Sequence, residues 1–415
     1  IDMQLNIDKT IWQKVQFGDV VQKKNNKINP NEYHSDIVIQ GGHINKRDFH
    51  IRKFENKKEL GYLGPAFHMG FKEGQILYVS RNPHLMKVGY PHFDGICANT
   101  TFIMGTMDKN FLRNDLIPFI MHSDNFIEQS IANVRGGVNP YVNWGDLACI
   151  EFLLPPKEQQ AQLAKLLWAM DEVVERERKL LASLKTLLAA NIEQEIHGIE
   201  IKNKVIREVL DEISEKIDLV PLSELGELLK GRGIPKSDVR DDGLPCVRYG
   251  ELYTKHHRII RVFNSFISEQ DKIKSLRLKM NDILFAGSGE TITEIGKSAA
   301  FVNDIEAYAG SDTLLFRPND MDGHYLGYLM NSQIVRQQLN KYGTGATVMH
   351  IYNSDLAKVR IPKIDKETQE SIGQKLETIF LNIIKTESKI MSSISLQKSI
   401  INQVFSVNAE KTTDN

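Results

Sequence analysis

The sequence predicts an α+β protein built by internal duplication, with two similar globules separated by two long antiparallel helices that form a coiled coil. Three observations lead there. FKEGQILYV at residues 71–79 returns as LKMNDILFA at residues 278–286, 207 positions later. RGGVNPYVNWGDL, ending at Leu147, answers to TGATVMHIYNSDL, ending at Leu356, and Glu158 answers to Glu367, both 209 positions later. Each globule is closed by a stretch of about 40 residues whose apolar positions recur at threes and fours, the spacing of a helix with one buried stripe.

Taken in order, residues 1–154 form the first globule. Its short β-type runs (IVIQ, QILYV, ICANTTFIM) alternate with turn clusters, and a helical period appears only near LRNDLIPFIMHSDNFIEQSI. Pro155-Pro156 then stop the strand-like IEFLL and open a helix, because proline suits a helix's first turn and Glu158 favours its positive end. The first long helix, residues 155–198, carries a seam of Leu163, Leu166, Met170, Val173, Leu180, Leu184 and Leu187, with Glu177 as the polar interruption and Gly198 as the stop. At ~1.5 Å per residue this is a rod of about 60 Å. Residues 199–219 are polar, charged and helical in pattern, and are expected to be a connector. The second globule occupies residues 220–361, opening at Pro221. The closing helix, residues 362–405, carries Ile372, Leu376, Ile379, Ile383 and Ile390, with Thr386 as a weak spot and fraying expected after Ile401; residues 406–415 read as a disordered tail. A helix this long cannot bury its stripe on a globule alone, so the two are predicted to pair. Leu167, Val174, Leu181 and Leu188 lie beside the expected seam. They add apolar width beyond what two helices need, and Leu167, Val174 and Leu181 are predicted to contact a partner.

Composition excludes several classes. A net charge of −1 with 25% charged residues describes neither a basic tail nor an acidic disordered chain, so electrostatics must be local. Cys97, Cys149 and Cys246 are far apart, which argues against a zinc site or a disulfide framework. With no apolar run of about 18 residues and no signal-peptide pattern at the start, a cytoplasmic protein is expected.

Catalytic signals are weak. FAGSGE at 285–290 is like a glycine-rich turn for S-adenosylmethionine, and NPY at 139–141 is like the NPP-aromatic motif of adenine-N6 methyltransferases. The two lie in different copies of the repeat, and Gly287 falls opposite Ser80, so the first copy has no such loop. GTGAT at 343–347 lacks the Lys-Ser or Lys-Thr of a phosphate-binding loop. No catalytic residue, metal site or cofactor is expected. What does stand out is cations interleaved with amides and aromatics, which supply phosphate contacts and base-edge donors for reading a duplex. The residues expected to face DNA are Lys46, Arg47, Arg52, Lys53, Arg81 and Arg135 in the first copy, and Lys230, Arg232, Lys236, Arg248, Tyr249, Lys255, Arg258 and Lys297 in the second.

The chain resembles the specificity subunit of type I restriction-modification systems over nearly its whole length. The resemblance rests on VQFGDVV and VPLSELGELL, on QILYVSR and DILFAGSG, and on the junctions IEFLLPPKEQQAQLAKLL and VRIPKIDKETQESIGQKL. It implies that each globule is a target-recognition domain for one half of a bipartite DNA site. It implies too that the helices act as a ruler and dock modification subunits, two in number, which bind S-adenosylmethionine, with restriction subunits supplying translocation and cleavage. Gly287 departs from the arginine that the family often places before Ser-Gly, GETITEIGK is longer than usual around Lys297, and only Pro362 precedes the second helix. Two other classes compete: a self-contained adenine methyltransferase using 285–290 and 139–141, and a coiled-coil scaffold with no nucleic-acid role.

Overall fold

A computed structural model describes residues 7–198, 204–291, 294–342 and 349–406. The GTGAT turn, residues 199–203 of the expected connector and the tail from 407 lie outside the described residues. The chain divides into two compact units, residues 1–178 with 388–415, and residues 179–387.

In the first unit, Gln13–Gln16 pairs antiparallel with Glu151–Leu154, bringing the start of the globule beside the strand that feeds the long helix. One four-stranded sheet runs Val21–Lys24, Thr101–Thr106, Ile76–Val79, Val88–Gly89, and a second runs Glu55–Asn56, Ile37–Ile39, Gly95–Cys97, Met69–Phe71. The continuous apolar run ILYV is a strand buried at all four positions, as expected of a segment covered on both faces. Phe17, Tyr78, Phe119, Phe126 and Phe152 fill the core around the short helices Ile117–His122 and Asp124–Ala132.

The second unit repeats the plan. Leu219–Pro221 pairs with Arg360–Pro362. Its larger sheet runs Gly226–Lys230, Thr313–Pro318, Asp282–Ala286, Ser298–Phe301, Arg258–Ile259, and its smaller one Ser265–Ile267, Leu244–Val247, Tyr308–Ala309, Leu276–Arg277. The repetition extends to single hydrogen bonds. Gln129 donates to the Glu151 carbonyl and accepts from its amide, and Gln338 does the same with Arg360. Gln160 bridges the Arg113 amide and the Pro155 carbonyl, and Gln369 bridges the Asp322 amide and the Ile364 carbonyl. Each pair is separated by 209 residues, the spacing of the repeat.

The long helices are Lys157–Asn191, continued by a π-helical turn Ile192–His197 that ends at left-handed Gly198, and Lys366–Phe405. In the first unit Gln397 donates to the Leu167 carbonyl and Lys389 meets Glu177 at 2.9 Å. In the second unit Glu387 pairs with Lys185 and Lys375 with Glu195. Within each unit one number rises as the other falls, so the helices pair antiparallel.

The seam's phase differs from the expected one. Leu167 and Val174 are 0% and 4% exposed, while Leu166, Val173, Leu180 and Leu187 are 39–52% exposed. The sequence carries two apolar stripes one position apart, and periodicity alone does not choose between them. Gln160 does, because its side chain bonds fix one face of the first turn against the globule, and Ala164, Leu167, Asp171 and Val174 follow from it at threes and fours. The seam's polar members are paired: Asp171 with His50 at 2.7 Å, and Glu177 with Lys389. Two further expectations change. The connector is helical over Ile206–Ser214, as its pattern predicts, but it is not a free linker, because Val209 and Ile213 join the second unit's core. The closing helix does not fray after Ile401, because Val404 and Phe405 are fully buried in the first unit's core.

His122 should make the first unit acid-sensitive. Buried, with its Nδ1 on the Pro118 carbonyl, it is pushed by desolvation down to about 4 from 6.5. A histidine whose folded pKa is depressed gives stability that is complete above the unfolded pKa and lost as pH falls. The window is therefore pH 6.5 to 4, and the loss about 3 kcal/mol at 1.36 kcal/mol per unit. Trp12, Trp144 and Trp168 all belong to this unit, so tryptophan fluorescence follows its melting alone. The melting midpoint should drop steeply through that window, and His122→Phe should flatten the drop.

Candidate nucleic-acid interface

In the first unit three segments lie side by side just past the buried ILYV strand. Ser80 donates to the Thr100 carbonyl and accepts from the Val142 amide, the Asn82 amide donates to the Pro140 carbonyl, and Arg135 and Tyr141 exchange both backbone bonds at 2.9 Å. The Arg81 guanidinium sits over the Tyr141 ring at 5.4 Å, and Arg135 forks onto Asp146 at 2.7 and 3.1 Å. That fork holds the Asp146 carboxyl below its ordinary range. The neighbouring loop lies against residues 79–87, since Lys87 donates to the Gly41 carbonyl and the Arg47 amide to that of Met86. It carries Lys46 and Arg47, both exposed. This is a rim of cations with one aromatic-backed arginine at its centre, suited to phosphates around a base-edge donor.

The second unit has the same crevice with other side chains. Gly287 donates to the Asp312 carbonyl and accepts from the Ile351 amide, and Ser288 pairs with His350, Oγ to Nδ1 3.0 Å. Ser288 and His350 correspond to Arg81 and Tyr141, so the place of the arginine-over-tyrosine is taken by a hydroxyl–imidazole pair. The loop after Gly226–Lys230 folds across residues 310–312: Gly231 donates to Thr313 and Ser311 to the Gly233 carbonyl. Gly231 is required here, because a Cβ would stand 2.0 Å from the Gly310 carbonyl oxygen. Lys230, Arg232 and Lys236 are exposed around this loop. Gly310 bonds Val247, which brings up the half-buried Arg248 and Tyr249. Among the described residues none of these cations forms an ion pair. Lys230, Gly287, Ser288, Asp312, His350 and Tyr352 line a small cleft of 150 Å³.

Other expected residues sit elsewhere. Arg52 is held by Asp48 and Glu175, both at 2.5 Å, which ties its loop to the long helix; Lys53 beside it is exposed. Lys255 and Arg258 line a separate cleft beside the helix pair. Arg258 belongs to the edge strand opposite the one that ends in Lys230, so the two are not on one rim. Lys297 is half-buried, its amide bonded to Glu294. Sequence reasoning missed Ser288 and His350 as site residues. The available signal was His350 matching Tyr141 at the repeat spacing.

The methyltransferase-like segments fall in different units. Asn139 and Tyr141 are in the first, whereas residues 285–290 are in the second, where Phe285 and Ala286 are completely buried strand residues. No group of three or more His, Cys, Asp or Glu suited to a metal occurs among the described residues.

Comparison with known proteins gives a consistent picture. Residues 214–396 match the family model described as the type I restriction modification DNA specificity domain. The type I restriction enzyme MjaVIII specificity subunit of Methanocaldococcus jannaschii is 24% identical over 317 residues, 74% of this chain and 72% of that one. The HindI specificity subunit of Haemophilus influenzae is 21% identical over 183 residues, 43% of this chain and 39% of its own length. Among solved structures, the type I restriction-modification S subunit from M. genitalium aligns over 98% of both chains with a TM-score of 0.62 at 12% identity. A chain from a structural study of type I R-M complex assembly aligns over 95% of this chain and 97% of that one with a TM-score of 0.54 at 17% identity. At these identities the two structures speak to the fold.

Proposed function

We propose, from the premise that the chain belongs with the type I restriction-modification specificity subunits, that its two units read the two halves of one bipartite DNA site. The chain is the non-catalytic DNA-recognition subunit of such a complex. The observation that carries the two-reader account is that both units present cations around an equivalent crevice, at the end of the same buried strand. In the first, Arg81 is oriented by Tyr141 for a base edge, with Lys46, Arg47 and Lys53 on phosphates and Arg135 set by Asp146. In the second, Arg232 and Arg248 are the base-edge donors, with Lys230 and Lys236 on phosphates. Arginine suits the first role because its fork matches the O6 and N7 of guanine.

The partner surface is the stripe Leu166, Val173, Leu180 and Leu187, one residue out of phase with the expected Leu167, Val174 and Leu181. Leu167 and Val174 are buried in the seam and Leu181 is partly buried against the second unit's core, which favours the neighbouring stripe as the contact surface. The exposed stripe leaves Leu166 and Val173 in the first unit, and Leu180 and Leu187 in the second, as partly exposed apolar side chains that docking subunits would cover. We assign it to the modification subunits, two per complex, which would bring S-adenosylmethionine and methyl transfer; restriction subunits and a cytoplasmic location complete the reading. No helix among the described residues is long and apolar enough to cross a membrane.

Selection of bound sequences from a random duplex library by the assembled complex tests this. The expected product is two short motifs at a fixed gap. Affinity should fall with salt at a log–log slope of about −5 for some six phosphate contacts. A scaffold without a nucleic-acid role predicts no enriched sequence and no salt dependence.

A further inference from the structure

The second unit contains a cleft of 690 Å³ between residues 255–264 and the helix pair, within the size range of small-molecule sites. Its apolar wall is Leu188, Ile192, Phe380, Ile383 and Ile384, and its opposite side carries Lys255, His256 and Arg258. The duplication supplies a control for it. KRDFHIRKF at residues 46–54 matches KHHRIIRVF at 255–263, so Arg258 stands where the first copy has Phe49.

Phe49 packs edge-on against Phe119 and His122, with centroids at 4.9 and 4.2 Å, and tilts onto Trp168. Beside it Arg52 reaches Glu175 and His50 reaches Asp171, which ties that loop to the helix. In the second copy Phe119 becomes Tyr328, Trp168 becomes Glu377, Asp171 becomes Phe380 and Glu175 becomes Ile384. Arg261, the counterpart of Arg52, donates from Nη2 to both carboxylate oxygens of Glu377 at 2.5 and 2.6 Å, and the Tyr328 hydroxyl donates to the same carboxylate at 2.9 Å.

Glu377 is thereby used up, and Arg258 has no carboxylate. Its guanidinium lies over the Tyr328 ring at 5.5 Å, and among the described residues its enclosed Nε has no hydrogen-bond partner and its terminal nitrogens make no bond. His256, 5% exposed, has an enclosed Nε2 that is likewise without a partner. A half-buried cation facing an apolar wall, in a cleft whose own carboxylate Glu387 is already paired with Lys185, gives up hydration that a bound anion would replace. Burial, with the like charge of Arg261 adding to it, pulls Arg258 below its ordinary value, in keeping with a charge that lacks a partner.

We propose that this cleft binds a small organic anion with an apolar body, such as a carboxylate or sulfonate on a hydrocarbon or aromatic frame. Arg258 takes the charged head and the Leu188–Ile383–Ile384 wall takes the body. A bare phosphate suits it poorly, since its hydration would be lost against that wall.

The test uses the full chain and 8-anilinonaphthalene-1-sulfonate as a fluorescent probe, with decanoate, decanol and inorganic phosphate as competitors. Saturable binding is expected, with decanoate displacing the probe at least about tenfold more effectively than decanol and phosphate having no effect. Arg258→Met should weaken probe binding by about tenfold or more with an unchanged melt, because methionine matches the length of the arginine stem and brings the same Cβ to the left-handed backbone at this position (φ 63°). Ile384→Trp, at a position 41% exposed on the rim, should block the cleft while leaving Arg258 in place, and serves if the first variant does not fold. Unchanged probe affinity in either folded variant, or equal displacement by decanol and decanoate, overturns the proposal.

Discussion

Glutamate at Leu166 and Val173 should abolish co-purification with the modification subunit while leaving the circular dichroism spectrum and the tryptophan-detected melt unchanged. Both side chains are partly exposed in the free chain, at 39% and 44%, so the charges cost little there. In a covered interface each would have to be buried without a partner, at several kcal/mol apiece. Together they should weaken association by more than about a thousandfold. The neighbouring pair gives the contrasting outcome. Leu167 and Val174 are buried in the seam, so glutamate at either should cost about 4 kcal/mol or more of folding stability and lower the fluorescence-detected midpoint. Retained capture by the Leu166 and Val173 variant would show that the partner docks elsewhere.

Asp282→Ala should destabilise the second unit by about 3–5 kcal/mol, the usual effect of orphaning one member of a buried ion pair. Asp282 is fully buried, accepts a fork from Arg317 at 2.6 and 2.8 Å, and caps the turn by accepting from the Lys279 amide. The first copy solves the same turn without charge: Gln75 accepts from the Lys72 amide at 2.8 Å. A double variant, Asp282→Gln with Arg317→Leu, should therefore recover most of the loss. With no tryptophan in the second unit, the effect belongs in the circular dichroism melt and not in fluorescence. A single variant as stable as the parent would mean that Arg317 finds another partner or reaches water.

The duplication and both long helices were legible because they rest on patterns that survive in one dimension, namely repeated strings at one spacing and apolar residues at threes and fours. The helix phase was not. Leu166 and Leu167 are both leucine, and which one faces the partner helix is settled by Gln160 bonding to backbone around residues 111–113 and 155, contacts no local pattern announces. The connector misled for a related reason, since Val209 and Ile213 supply two buried positions in an otherwise charged stretch. Within the site, cation type was legible and cation fate was not. Arg52, Arg232 and Arg258 look alike in sequence, yet the first is claimed by Glu175, the second is exposed, and the third lines a cleft beside the helices. The repeat was the underused clue, because the crevice residues Arg81 and Tyr141 align with Ser288 and His350. That difference in side chains over one backbone frame is what two readers of different half-sites require.

Site selection with the assembled complex carrying Arg232→Ala and Arg248→Ala bears most directly on the claim that each unit reads its own half. Each arginine is expected to supply about 1–3 kcal/mol of discrimination at one position. The account predicts that the motif assigned to the second unit blurs, while the other motif and the gap between them stay as in the parent. Equal loss of both motifs, or a single contiguous motif in the parent complex, would contradict it.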